Sequence, residues 1–161
     1  YKRYIGNGDP KHFLSWSNNL TWRNFDLSVF FRGTFGFDVF NMRKYGMGLQ
    51  GCGTDNVLRS AYLEDKNIRT GGGVISSYFL EDGSFIKLEN VTLGYNFTPK
   101  NRKLLDNMRI YLSAKNLFTL TGYSGNDPSI IDVNGIQPGV DSNSAYPTAT
   151  QLSLGVTLRF K

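Results

Sequence analysis

The chain has 161 residues and a formal net charge of +5, from 18 lysines and arginines against 13 aspartates and glutamates. Its basic residues are scattered, which argues against a nucleic-acid partner. One cysteine, Cys52, and one histidine, His12, exclude an internal disulfide and leave too few soft ligands for a typical metal site. No set of residues for nucleophilic or acid–base catalysis is visible, so we predict neither an enzyme nor a cofactor.

The first residues of the chain and its hydropathy pattern favour a β protein that is part of a longer chain. Tyr1-Lys2-Arg3 is not the start of a signal peptide, so we expect the chain to be part of a longer protein. No apolar stretch approaches the roughly 20 residues of a membrane helix, and no helical period of useful length appears. The abundance of Phe, Tyr and Gly, 12, 9 and 18 residues, instead favours a β protein with large loops.

The first two predicted strands form a hairpin. Residues 13–22 alternate weakly between apolar and polar side chains, and residues 25–35 alternate more regularly. Only Arg23 and Asn24 separate the two stretches, which predicts a tight turn.

The third predicted strand, 84–97, follows a long connection over 36–83. Its second half alternates cleanly, but Ile86 and Leu88 have the opposite parity. Either a bulge shifts the register in the first half, or that half lies outside a bilayer.

The last two predicted strands cover 108–118 and 151–160. The connection before the fourth strand is short and contains Pro99, which ends a ladder of hydrogen bonds. The connection before the fifth strand, 119–148, is long. The connections therefore alternate short, long, short, long.

This alternation sorts the loops by side. In an up-and-down antiparallel sheet all short turns fall at one end and all long loops at the other, which is the arrangement of outer-membrane barrels. We therefore predict an all-β fold of five antiparallel strands in a transmembrane barrel, with loops 36–83 and 119–148 extracellular and the chain's C-terminus periplasmic. Because five strands leave lipid-exposed edges, further strands must complete the barrel.

The two faces of the strands predict their surroundings, because a Lys or Arg facing lipid at the bilayer centre costs about 2–4 kcal/mol. The residues predicted to face lipid are Leu27, Val29, Phe31, Ile110, Leu112, Leu152, Leu154, Val156 and Leu158. The residues predicted to face the lumen are Arg32, Arg109, Lys115 and Arg159. Aromatic belts are expected at the short-turn end (Trp22, Phe25, Tyr95, Phe97, Phe160) and at the long-loop end (Phe35, Phe37, Phe40, Phe118, Tyr123).

Several segments, in this order, carry a family resemblance. They are residues 4–10 (YIGNGDP), 24–33 (NFDLSVFFRG), 81–95 (EDGSFIKLENVTLGY), 109–119 (RIYLSAKNLFT), 121–128 (TGYSGNDP) and 154–161 (LGVTLRFK). The chain, over residues 1–161, resembles the C-terminal part of SusC/RagA-type TonB-linked outer-membrane proteins of Bacteroidota.

The resemblance implies a barrel of about 22 strands with a plugged lumen, in the bacterial outer membrane. It implies import of oligosaccharides or peptides, with TonB acting through a plug that lies in the preceding part of the protein. The implied partners are the remaining strands and plug of the same transporter, a SusD-like surface lipoprotein, membrane lipid and lipopolysaccharide.

The long loops supply the candidate substrate or lid contacts, because aromatic rings stack on apolar faces while amides and carboxylates bind hydroxyls. These residues are Tyr78, Tyr123, Asn126, Asp127, Asp132 and Asn134. The alternative interpretation of each is that it shapes a turn, as Asn126-Asp127-Pro128 suggests.

Two other classes of protein stay open. A soluble β-sandwich that binds carbohydrate would show the same alternation, with its apolar face buried under a second sheet. A small outer-membrane barrel acting alone would need more strands, and as an enzyme it would also need a catalytic set.

Overall fold

A computed structural model of the protein describes residues 3–48, 56–63, 75–99, 105–131, 137–142 and 146–160. The chain divides into two compact units. The loop unit comprises Tyr1–His12, Thr34–Phe85 and Thr121–Pro147, and the strand unit comprises Phe13–Gly33, Ile86–Leu120 and Thr148–Lys161.

The described residues form mainly β-strands. In chain order the strands are β1 (His12–Trp22), β2 (Phe25–Phe35), β3 (Asp38–Asn41), β4 (Leu80–Asp82), β5 (Phe85–Phe97), β6 (Leu105–Thr121), β7 (Val140–Asp141) and β8 (Gln151–Phe160). The helices are α1 (Met42–Met47) and α2 (Ser60–Leu63), with 3-10 turns at Ser77–Phe79 and Pro128–Ile130. Within the described part of the chain, no helix is both long enough and apolar enough to cross a membrane.

A five-stranded sheet with the order β1-β2-β5-β6-β8 is built from the five long strands. The predicted strands at 25–35 and 151–160 are confirmed at both ends, and those at 13–22 and 84–97 are confirmed to within one residue. The fourth, predicted at 108–118, is longer, because β6 extends over Leu105–Thr121. Period-2 alternation therefore located all five strands.

Strands β6 and β8 pair antiparallel in a register that keeps like side chains together. Ile110 lies opposite Val156 and Leu112 opposite Leu154, whereas Ser113 lies opposite Ser153. Because successive side chains point to opposite faces, this register makes one face apolar and the other polar.

The alternation breaks in the first half of β5. Adjacent residues Lys87 and Leu88 are both buried. Beyond them Leu93, Tyr95 and Phe97 are exposed on one parity, whereas Ile86 is exposed on the other. This change of parity is compatible with both predicted explanations, a bulge or a first half that lies outside a bilayer.

The loop unit contains a small sheet with the order β4-β3-β7, in which β3 pairs antiparallel with β4 and parallel with β7. Its buried core consists of Phe37, Val39, Phe85, Tyr123 and Ile131. Phe37 and Tyr123 were predicted in an aromatic belt at a membrane interface. That prediction is wrong for these two residues, because their rings are buried in this core.

Helix α1 follows β3 directly and was not predicted. The side-chain oxygen of Asn41 accepts a hydrogen bond from the Lys44 amide at 2.8 Å, which caps the first turn. The Gly48 amide donates to the Lys44 carbonyl at 2.8 Å and ends the helix. One turn and a half is too short to show a helical period.

Candidate functional site

The polar face of the strand unit carries an ion pair between β2 and β6. The Arg109 guanidinium donates to both carboxylate oxygens of Asp26, from Nε at 3.2 Å and from Nη2. The side-chain amide of Asn96 on β5 donates to Asp26 Oδ1 at 2.7 Å. The Arg109 guanidinium carbon lies 5.1 Å from the Tyr111 ring centroid. A forked arginine pair of this kind fixes the direction of both side chains.

A glycine on the intervening strand leaves room for this pair. A Cβ atom at Gly94 would lie 2.5 Å from both Asp26 carboxylate oxygens and 2.7 Å from Arg109 Nε. A second glycine acts in the same way, since a Cβ at Gly155 would lie 2.3 Å from the Tyr111 ring. The glycines in strands β5 and β8 therefore form shallow sites that hold longer side chains across the sheet.

Hydroxyl and amide groups continue the polar face. Thr92 donates to Ser113 at 3.1 Å, and Ser113 donates to Asn90 at 3.4 Å. Arg32 Nε lies 3.2 Å from Glu89 Oε1, with both side chains about one third exposed. Most of the charges on this face are therefore paired, Arg32 with Glu89 on the neighbouring strand and Arg109 with Asp26 two strands away, and the face is still accessible to water.

The residues predicted to face the lumen differ in their partners. Arg32 and Arg109 form the ion pairs just described, and Arg159 lies 4.0 Å from Asp106. Lys115, on the same face of β6, lies opposite Gln151. All four lie on the parity opposite to the apolar residues of their own strands.

The opposite face of the strand unit is apolar and exposed. Leu152 and Leu154 are 71% and 75% exposed, and Leu112 is 51% exposed. Ile110, Val156 and Leu158 are exposed as well, whereas Leu27, Val29 and Phe31 are half-buried. Contacts along this face are between neighbouring strands, as in the 5.6 Å separation of the Trp16 and Phe31 ring centroids. A contiguous exposed surface of this kind indicates contact with lipid or with other protein.

In the loop unit, one carboxylate joins the two long connections. Glu81 on β4 accepts hydrogen bonds from the Ser124 amide and hydroxyl, each at 2.8 Å. It also accepts from Asn41 at 3.4 Å and lies 3.4 Å from the Lys44 ammonium. Because Glu81 is far from Asn41 and Ser124 in sequence, it fixes the loops relative to each other within this unit.

The four residues after Glu81 build the adjoining turn. The Asp82 carboxylate accepts from the Ser84 amide at 2.9 Å and from its hydroxyl at 2.6 Å, which is typical of a side-chain-stabilised turn. A Cβ at Gly83 would lie 2.4 Å from the Phe37 ring, and Phe85 is buried in the core. The segment EDGSF, part of the family resemblance, therefore has a structural role at each residue.

The predicted contact residues occupy different environments. Tyr78 is half-buried, and the Lys44 ammonium lies 4.5 Å from its ring centroid. Asn126 accepts a hydrogen bond from Arg43 at 2.9 Å. Helix α1 therefore contacts both residues, through Lys44 and Arg43. Asp132 and Asn134 lie outside the described residues.

Two of the predicted contact residues have structural partners. Asp127 is buried, and its carboxylate caps the following 3-10 turn by accepting from the Ser129 amide at 2.9 Å. The Tyr123 hydroxyl donates to Asp141 at 2.6 Å, and burial raises the pKa of this phenol well above its ordinary value. The hydrogen bond to Asp141 and the negative charge nearby raise the pKa further.

A cavity of about 440 Å³ lies within the loop unit. Its walls are largely apolar, from Phe40, Met42 and Leu80, with Asn7 and Asp38 as polar members. The Asn7 amide donates to the Asp38 carboxylate at 2.9 Å, and the Asp38 amide donates to the Asn7 carbonyl at 2.7 Å. This pocket is large enough for a bulky side chain or a sugar ring.

Sequence reasoning missed Glu81, Asn41, Ser124 and Lys44 as a cluster. In the sequence, Glu81 stands out only as the first residue of the segment EDGSF. The signal that could have identified it was the segment EDGSF itself, in which a charged residue directly precedes a turn and a buried aromatic.

Comparisons with curated proteins find TonB-dependent receptors, and no protein-family model matches the chain. The chain is 26% identical to TonB-dependent receptor P3 of Formosa agariphila over 99% of its length. It is 28% identical to TonB-dependent receptor SusC of Bacteroides thetaiotaomicron over 89% of its length. Among solved structures, the RagAB peptide importer in its closed-closed state matches 97% of the chain with a TM-score of 0.77 and 24% identity, which shows a shared fold.

The matched part of each relative is small. The chain covers 17% of receptor P3, 14% of SusC and 18% of the RagAB chain. It therefore spans less than a fifth of the length of each relative.

Proposed function

Because this chain is similar to SusC/RagA-type TonB-dependent receptors over nearly all of its length, we propose that it forms part of the barrel wall and mouth of a TonB-dependent outer-membrane importer. The cargo is an oligosaccharide or a peptide. Residues 1–161 are the C-terminal part of the barrel, loops 36–83 and 119–148 are extracellular, and the C-terminus is periplasmic.

The observation that carries the proposal is the difference between the two faces of the long sheet. Leu112, Leu152 and Leu154 are more than half exposed on one face, and the Asp26–Arg109 pair lies on the other. In a membrane the apolar face contacts acyl chains and the paired charges face a watery lumen. A soluble carbohydrate-binding sandwich would bury the apolar face under a second sheet, so these exposed leucines count against that alternative.

The sheet order supports a barrel built from additional strands. Strands β1 and β8 are the edges of the described sheet. An unpaired edge in hydrocarbon leaves backbone groups unsatisfied at several kcal/mol each. We propose that the remaining strands of the same receptor pair with these edges and close a barrel of about 22 strands around a plug.

The other partners follow from the proposed class. A SusD-like surface lipoprotein would cover the extracellular mouth, TonB would act through the plug, and phospholipid and lipopolysaccharide would contact the barrel exterior. Of the candidate contact residues, Tyr78 and Asn126 are the stronger cargo or lid contacts, because Lys44 and Arg43 of helix α1 hold their side chains in place. Tyr123 and Asp127 are buried and stabilise the same unit through hydrogen bonds with Asp141 and Ser129. We propose that Asp132 and Asn134 belong to the same mouth.

Uptake by intact cells tests the proposal. A bacterium lacking the full-length gene would be complemented with that gene or with empty vector, and fluorescent oligosaccharides and peptides would be supplied separately. We expect the receptor in the outer-membrane fraction and uptake of one cargo class that is lost when TonB is removed. A receptor found in the soluble fraction, or uptake that does not depend on the gene, would contradict the proposal.

A further inference from the structure

An exposed aromatic cluster lies beside the first hairpin, on the apolar face of the strand unit. Trp22 is 67% exposed, and its ring stacks near Phe25 with centroids 6.5 Å apart. The Phe25 ring lies 4.8 Å from that of Tyr95 on β5. Three strands therefore supply one continuous aromatic surface, and all three of its rings are exposed.

A guanidinium group lies over the edge of this cluster. Arg23 has a φ of +54°, a left-handed conformation that only the tight turn requires of it. Its guanidinium carbon lies 5.3 Å from the Trp22 ring centroid. Among the described residues, no carboxylate forms an ion pair with Arg23. Within the part of the chain that the structure describes, its positive charge therefore lies against an apolar surface with no carboxylate partner.

The position of the turn is fixed from the neighbouring strand. The backbone N–H of Asn96 donates to the Asn24 carbonyl at 2.7 Å, and the Asn24 side-chain amide donates to the Asn96 carbonyl at 2.8 Å. These hydrogen bonds hold the turn against the end of β5. The Arg23 side chain thus extends from a fixed backbone, which lowers the entropy lost when a ligand binds.

We propose that Arg23, Trp22, Phe25 and Tyr95 form a binding site for an anionic phospholipid. The phosphate would contact the Arg23 guanidinium, and an acyl chain would lie along the Phe25 and Tyr95 rings. Charge complementarity favours this ligand, because an unpaired cation beside exposed apolar rings matches a negative headgroup joined to a hydrocarbon chain. The inference rests on the proposed function, which places this face in the membrane.

Native mass spectrometry of the full-length receptor tests the site. The receptor would be purified in neutral detergent and mixed with dioleoylphosphatidylglycerol or with dioleoylphosphatidylcholine. We expect the anionic lipid to be retained preferentially and the Arg23→Asn variant to retain it about five-fold less, as loss of one surface cation predicts. Asparagine adopts the left-handed turn conformation readily, so this variant preserves the hairpin.

Two controls separate the outcomes. Lys115→Gln removes a cation from the polar face of β6 and should leave retention unchanged, and glycerol phosphate should not displace the lipid. Equal retention of the two lipids, or no effect of Arg23→Asn, would overturn the inference. Displacement of the lipid by glycerol phosphate would overturn it as well. A receptor that fails to insert into liposomes would instead contradict the proposed function.

Discussion

Asp26 on β2 and Arg109 on β6 pair across the strand that separates them, above Gly94 of β5. The pair spans the distance between β2 and β6, which is two strand spacings. The long Arg109 side chain therefore extends across the polar face of the sheet and not along its own strand. Such a bridge requires an intervening residue with no side chain. The three residues therefore act as one unit that joins β2, β5 and β6 in the proposed lumen wall.

The first prediction is that Gly94→Ala separates this ion pair. The added Cβ would displace the Asp26 carboxylate and Arg109 Nε, so the sheet should lose about 1 kcal/mol locally, as expected for a partly exposed pair. Hydrogen exchange of the purified receptor should show amides of β2, β5 and β6 exchanging about five-fold faster. Gly122→Ala is the matched control, because nothing lies within 4 Å of a Cβ there. Equal exchange in both variants would contradict the bridging role.

The five long strands could be predicted because their physical signal is local. Burial of one face imposes a period of two, and a strand of ten or more residues such as Gln151–Phe160 shows that period clearly. The turn at Arg23 and Asn24 was predictable for the same reason, since only two residues separate two alternating stretches. The fourth strand was underestimated because Leu105 to Asn107 contains a register irregularity that breaks the alternation.

The loop unit could not be predicted because its interactions are non-local. Strand β7 has two residues and β4 has three, so neither shows a period. The cluster around Glu81 joins it to Asn41 and Ser124, which lie 40 and 43 positions away in the chain. In the sequence, Tyr123 is one of many aromatic residues in the loops. Its burial and its hydrogen bond to Asp141 follow only from the fold.

The second prediction compares two adjacent residues of β8, one on the face proposed to contact lipid and one on the face proposed to line the lumen. Leu154→Arg places a charge on the exposed apolar face of β8, and Ser153→Arg places the same charge on the polar face. Leu154→Arg should destabilise the inserted barrel by about 2–4 kcal/mol if the position lies near the bilayer centre. Outer-membrane levels and heat-modifiable migration of the full receptor measure this. Equal tolerance of the two variants would argue that no lipid contacts this face.

The third prediction concerns alkaline pH. Burial, then the hydrogen bond to Asp141, raises the pKa of Tyr123 above its ordinary value of 10. Below pH 10 the phenol is protonated in both states, so its contribution to stability is fully present. Above pH 10 the unfolded chain releases this proton more readily, and stability falls as pH rises.

Cleavage of the loops by an alkali-tolerant protease measures this effect. The rate in the full receptor should increase between pH 9 and 11, and Tyr123→Phe should flatten that increase while raising the rate at pH 8 through loss of the Asp141 contact. Tyr146→Phe serves as the control, because this ring is 91% exposed. An unchanged pH profile in Tyr123→Phe would mean that this phenol is not the group responsible.

The fourth prediction tests the link between the two long loops. Glu81→Gln keeps the side-chain shape but removes the charge that faces Lys44 and weakens the hydrogen bonds from Ser124. We expect faster proteolysis of the loops and reduced cargo uptake at an unchanged level of receptor in the membrane. Asp106→Asn, which removes a carboxylate 4.0 Å from Arg159, should change neither. Normal uptake with normal protease resistance in Glu81→Gln would show that Ser124 is held by other contacts.

The fifth prediction concerns the orientation of the strands. Single cysteines would be introduced at Tyr146, in loop 119–148, and at Thr98, in a short connection, in a full receptor whose other accessible cysteines are replaced. Both residues are exposed, so access depends on the side of the membrane. A membrane-impermeant maleimide added to intact cells should label Tyr146→Cys at least ten times more than Thr98→Cys, and permeabilised cells should label both. Because alternate connections of an up-and-down sheet must lie on opposite sides of a bilayer, equal labelling in intact cells would be incompatible with strands that cross the membrane.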